Sequence, residues 1–124
     1  MTGPIINMDQ LEYHPWGHGE RFAARIGAVG ARIGATKLGY NVTVVPPGKR
    51  AWPFHSHRVN EELFFVLEGH GEIRIGAERH AVRTGDFVAC PPGGAETAHQ
   101  LVNTSATADL RYLAISTQES PELA

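Results

Sequence analysis

His55 and His57 stand two residues apart in the segment Pro53-Phe-His-Ser-His-Arg-Val-Asn-Glu-Glu-Leu-Phe-Phe-Val-Leu-Glu-Gly69. On an extended strand residues i and i+2 face the same way, so both imidazoles would be aimed at one point. A carboxylate follows at Glu61 or Glu62, where a turn could bring it back toward that point, and a third imidazole arrives at His99. Three neutral imidazoles and one carboxylate suit a divalent transition metal. On a five- or six-coordinate ion this set leaves one or two positions for water or substrate. Such an ion could polarise a carbonyl or hydroxyl oxygen, or acidify a bound water. The plainer alternative is two His residues lining a solvated strand face. The setting argues against it. His-x-His lies between a Pro-Pro-Gly turn and the most hydrophobic run of the chain, where unpartnered polar groups would cost roughly a few kcal/mol each.

The elements that must position these residues read as β. Gly and Pro make up 22 of 124 residues, which implies many turns. Short β-rich runs are predicted at 22–26, 38–45, 63–67, 72–75, 87–90, 99–102 and 110–116. Turn signals separate them at intervals of about 8–12 residues, the signature of an all-β sandwich or barrel. No segment of a dozen residues carries a capped helical period, so helix is minor. Residues 1–20 read as an irregular arm, 21–117 as one β-domain and 118–124 as a frayed tail. The tetrapeptide Arg-Ile-Gly-Ala recurs at 25–28, 32–35 and 74–77 without a fixed period, so two copies are expected to mark turns rather than a solenoid. If Glu62 points inward, Phe64 and Val66 share its face, while Phe65 and Leu67 point away.

Composition excludes several classes. The chain is 42% hydrophobic and 19% charged with a net charge of −2, enough apolar material for one core and no basic excess for nucleic acid. No run of about 18 apolar residues exists for a membrane span. The lone Cys90 rules out an internal disulfide and any cysteine-based zinc cluster. Residues 1–10 lack the basic start and apolar stretch of a signal peptide, so a cytoplasmic location is expected.

The segment around His55 resembles the first motif of the cupin superfamily: His-x-His, three or four residues, Glu, six residues, Gly. Counting back from Gly69 selects Glu62 over Glu61. The leading Gly of that motif would be Gly48, one residue further from the first His than usual. A second motif follows in Gly85, Pro91, Gly93, His99 and Asn103, with the gap from Gly93 to His99 longer than the family's usual one. This resemblance implies a double-stranded β-helix, a jelly-roll barrel, with one divalent transition metal (Zn, Ni, Mn or Fe) held by His55, His57, Glu62 and His99. It also implies a homodimer formed through strands that are apolar on both faces, and a small-molecule ligand. The expected function is a metal-dependent enzyme, isomerase- or dioxygenase-like, acting on a sugar, sugar phosphate or organic acid. The alternative is a non-catalytic binding or sensor module, because one fold hosts many chemistries.

Further residues have expected places. Tyr40, Trp52, Phe54 and Tyr112 are candidate wall residues around the metal, and Asn41, Gln100 and Arg83 candidate polar contacts. Lys49 and Arg50 would lie at the barrel mouth, although no Lys or Arg cluster inside the motifs awaits a phosphate. Glu61, by parity, points away from the metal and is a weak candidate for a base. His14 and His18 belong to the arm, which could cap a pocket. His70 and His80 are expected at exposed turns, and Cys90 as a small buried apolar group.

Overall fold

The computed structural model describes residues 3–119. The predicted short runs become strands of two facing antiparallel sheets. In chain order the strands are β1 (Tyr13–His18), β2 (Phe22–Ala28), β3 (Leu38–Val45), β4 (Glu62–Glu68), β5 (His70–Ile75), β6 (Glu78–Arg83), β7 (Phe87–Cys90), β8 (His99–Val102) and β9 (Leu110–Thr117). One sheet has the order β1-β2-β3-β9-β4-β7 and the other β6-β5-β8. A single short helix, α1 (Gly30–Ile33), links β2 to β3. This is the jelly-roll barrel expected from the sequence.

The sheets form because their strands alternate. On β4, Phe64 and Val66 are buried between the sheets. Phe65 faces outward and stacks on Phe87 with ring centroids 4.4 Å apart. The inward faces of β3, β5 and β9 add Val45, Ile73, Leu110 and Tyr112 to the same core. Glycine makes the tight β4–β5 corner possible. Gly69 has φ of +94°, and a Cβ there would sit 2.5 Å from the Asp109 carbonyl oxygen. Asn103, fully buried, clasps the turn before β9. Its Nδ2 donates to the carbonyls of Val45 (2.9 Å) and Ala108 (2.8 Å), and its Oδ1 accepts the Ser105 N–H at 2.9 Å.

Two local expectations need correction. Residues 1–20 are not irregular throughout: a 3-10 turn at Met8–Gln10, capped by Asn7, precedes β1, which pairs along its length with β2. Pro15 and Gly17 hid this strand, but an edge strand tolerates both because only one side is paired. Strand β6 has no counterpart among the expected runs. Its residues Glu-Arg-His-Ala-Val-Arg bury only Val82, so the apolar alternation that marks a strand is missing. Two of the three Arg-Ile-Gly-Ala copies mark turns as expected, at Gly34 (φ +89°) and Gly76 (φ +57°), and the copy at 25–28 lies within β2. Of the expected tail, the Gln118 N–H is bonded to the Lys37 carbonyl, and residues 120–124 lie outside the described residues. None of the described helices is long and apolar enough to cross a membrane.

Candidate metal centre

The four sequence-predicted ligands arrive from three places. Glu62 opens β4 in the larger sheet, and His99, 1% exposed, opens β8 in the smaller one. His55 and His57 sit on the connection between β3 and β4, which is stitched to its surroundings through the backbone. The His55 N–H donates to the His99 carbonyl at 3.2 Å, the His99 N–H returns to the His55 carbonyl at 2.7 Å, and the His57 carbonyl accepts from Gly93 N–H at 2.8 Å. The long gap between Gly93 and His99 is taken up by a 3-10 turn at Ala95–Thr97. Side chains hold the connection from below. Arg74 Nη1 donates to Gln100 Oε1 at 2.8 Å, Gln100 Nε2 donates to the Trp52 carbonyl at 3.1 Å, and the Arg74 guanidinium lies 4.3 Å over the Phe54 ring.

All three imidazoles turn Nε2 toward one carboxylate oxygen. The distances to Glu62 Oε1 are 3.7 Å from His55, 3.0 Å from His57 and 2.7 Å from His99. The four ligand atoms lie within 4.8 Å of one another. Ligands at about 2.0–2.2 Å from a common ion are themselves roughly 3.0–3.5 Å apart, a spacing that the distances to Glu62 bracket and that the widest separations in the cluster reach with small side-chain shifts. Its hydrogen bonding points the same way. His55 Nδ1 lies 2.7 Å from the Pro53 carbonyl and His99 Nδ1 3.1 Å from the Thr97 carbonyl. Each contact holds the ring proton on Nδ1 and leaves the Nε2 lone pair facing the centre, as metal-ligating His requires. Several lone pairs facing one carboxylate repel unless protons or a cation sit among them. The residues therefore fit a divalent metal ion.

Electrostatics record the same tension. Burial opposes the Glu62 charge, but bonding to His55 and His99, with the charges of His99 and His57, outweighs it and lowers its pKa to about 2. Bonding to Glu62 raises the pKa of His55, against the opposing effect of its own burial. Next to this cluster, burial and the Glu62 charge push the Cys90 thiol up to about 12, so Cys90 is an inert buried thiol. Burial likewise raises the Tyr112 phenol.

A cavity of about 340 Å³ opens over the cluster, walled by Trp52, Pro53, Phe64, Asn41 and Ala114. A second, of about 310 Å³, adjoins it past Asn41, Glu62 and Ala114 and is bounded by Tyr40, Gly39, Ser116 and Gln118. Trp52 and Tyr40 thus take wall positions, and Asn41, expected as a polar contact, lines both cavities. Tyr112 lies deeper in the core, edge-on to Phe64 at 5.4 Å. Phe54, Gln100 and Arg83 do not line either cavity. Phe54 and Gln100 brace the His55 connection, and Arg83 is exposed on β6. Lys49 is held by the Glu20 carbonyl, and Arg50 bridges Phe22 and Val102 through its backbone. Glu61 is exposed and is not part of the cluster, and His14, His18, His70 and His80 are exposed. Ser116 and the backbone carbonyls of Pro53 and Thr97 went unforeseen. Ser116 was legible, since inward Tyr112 on β9 places Ala114 and Ser116 on the same face. The carbonyls leave no mark in residue type.

The geometry agrees with the comparisons. Residues 41–116 match the Cupin domain family, more than half of the chain, and the chain belongs to that family. An uncharacterised protein of Methanocaldococcus jannaschii is 33% identical over 60 residues, which are 48% of this chain and 45% of that protein. Quercetin 2,3-dioxygenase of Bacillus subtilis is 31% identical over 80 residues, 62% of this chain and 24% of the enzyme. Both matches thus span less than half of the relative's length. Among solved structures, a cupin-superfamily sugar phosphate isomerase from Silicibacter pomeroyi superposes with a TM-score of 0.82 at 24% identity, over 96% of this chain and 78% of the other. That likeness is one of fold.

Proposed function

We propose that this protein is a metal-dependent enzyme in which His55, His57, Glu62 and His99 hold one divalent transition metal and a small oxygen-bearing metabolite binds in the cavity above them. One observation carries the reading: three Nε2 atoms converge on one carboxylate oxygen beneath an open cavity. When bound, the ion would supply a Lewis acid with open positions for substrate oxygens. The protein supplies orientation. The Pro53 and Thr97 carbonyls fix the His55 and His99 tautomers, and the Trp52 and Phe64 rings exclude water from one side of the cavity. The likeness to quercetin 2,3-dioxygenase supports oxygenation of the substrate, and the fold shared with a sugar phosphate isomerase supports isomerisation. Isomerisation also needs a group to move a proton. Apart from the ligand set, Tyr40 is the titratable residue that lines these cavities among the described residues.

That scarcity favours a second reading, a non-catalytic module that binds a metal-chelating ligand. Elemental analysis of protein purified without added metal, followed by oxygen-uptake and ketose–aldose interconversion assays before and after chelation, separates the two. Chelator-sensitive turnover supports the enzyme. Stoichiometric metal with no turnover in either assay supports the binding module, and absence of metal binding overturns both. We also propose a homodimer formed through the outward face of β4 and β7, where Phe87 is 72% exposed beside Phe65. Light scattering should give twice the chain mass for the wild type and a monomer for Phe87→Glu, and a monomeric wild type would refute this.

A further inference from the structure

We infer that Asn41 is a ligand-binding residue whose amide N–H groups orient the part of the substrate that reaches past the metal, and that this part is uncharged and oxygen-bearing, without a phosphate. The inference rests on the metal-binding reading above. Asn41 stands on β3, opposite Ala114 of β9, where the metal cavity and its neighbour share a wall.

The protein fixes which way its amide faces. Thr43, itself buried, donates from Oγ1 to Asn41 Oδ1 at 2.7 Å. That bond leaves the Asn41 oxygen occupied. Its amide nitrogen donates to no protein group among the described residues and is free for an acceptor in the hollow.

Charge defines what that acceptor can belong to. All eleven Lys and Arg residues fall within the described part of the chain, and none lines either cavity. Arg74 is committed to Gln100 and Phe54, and Lys49 to a carbonyl. In the metal-bound reading the Glu62 carboxylate is spent on the ion. A phosphate on the part of the ligand that reaches past the ion would be desolvated with no guanidinium or ammonium to pair it. Hydroxyl and carbonyl oxygens face no such cost. Ser116, Gln118 and Tyr40 offer them neutral hydrogen bonds, and Ala28, Ala31 and Gly39 leave room.

The test uses full-length protein loaded with Co²⁺, titrated with D-ribulose and with D-ribulose 5-phosphate while the visible cobalt bands are followed. D-Ribulose should shift the bands and bind at least as tightly as its phosphate. Asn41→Asp and Asn41→Ala should each weaken D-ribulose binding by about tenfold, with Co²⁺ affinity near that of the wild type. Tighter binding of the phosphate by about tenfold or more, unchanged D-ribulose binding in the Asn41 variants, or no band shift with either sugar would overturn the inference while the metal reading stands. Failure of the wild type to bind Co²⁺ overturns the metal reading, and this inference with it.

Discussion

Replacing Glu62 with Gln should change how the stability of the metal-free protein depends on pH. In the fold, the carboxylate is surrounded by three imidazoles, and although burial opposes its charge, their bonds and charges hold its pKa at about 2 against 4.5 for the free side chain. Because the folded value lies below the unfolded one, the stabilisation is present above pH 4.5 and is lost as the pH falls toward 2. The gap corresponds to roughly 3 kcal/mol, as an upper figure, or about 10 °C in melting temperature for a domain of this size. His55 acts in the other direction. Its pKa is raised by Glu62, so its contribution is complete below pH 6.5 and fades as the pH rises through the folded value. The advantage of the wild type over Glu62→Gln is therefore greatest between about pH 4.5 and 6.5 and shrinks on both sides. Circular dichroism melts in excess chelator at pH 2.5, 5.5 and 9 measure it. Melting curves that shift in parallel at all three pH values would show that the imidazoles exert no field on Glu62, and the account of the cluster would fail.

Two further outcomes follow from the same geometry. His99→Ala removes the most buried ligand and should reduce bound metal from one equivalent to a small fraction in elemental analysis, with the metal-induced rise in melting temperature lost. Gln100→Ala leaves the Trp52 carbonyl and Arg74 without their partner. It should cost about 1–3 kcal/mol in urea unfolding and weaken metal binding by roughly tenfold or more in competition with a chromogenic chelator, although Gln100 touches no ligand atom.

The residues that do the chemistry were more legible than the frame around them. His55, His57, Glu62 and His99 announce themselves because imidazole and carboxylate at these spacings have few other uses, and Phe64 and Val66 because a buried strand must alternate. Strand β6 was invisible for the converse reason. It buries one side chain, and its pairing with β5 is made through backbone groups that every sequence possesses. Strand β1 was obscured by Pro15 and Gly17, whose effect depends on whether a strand lies at an edge, which local sequence does not encode. Gln100 and Arg83 share one limitation. Residue type identifies a polar group, but the register of β5 against β8 decides that Gln100 meets Arg74, while Arg83 falls on the exposed side of β6.

The placement of the ligands also bears on whether a bound ion is structural. Glu62 belongs to one sheet and His99 to the other, so an ion would cross-link the two, as it does in small domains that unfold without metal. Here the cross-link has substitutes. His99 Nε2 already lies 2.7 Å from Glu62 Oε1, and the His55–His99 backbone pair joins the connection to β8 without either side chain. Below the cluster, Val45, Phe64, Val66, Leu110 and Tyr112 pack as a continuous apolar core between the sheets. Such a core holds the barrel together whether or not the cluster is filled. Chelation should therefore lower the melting temperature by the amount that ligand linkage predicts, about 2.7 kcal/mol at a hundredfold excess of metal over Kd, and leave the β spectrum intact at 25 °C. Collapse of that spectrum on chelation would make the ion part of the fold, and the open cavity above it would lose its standing as a site of chemistry.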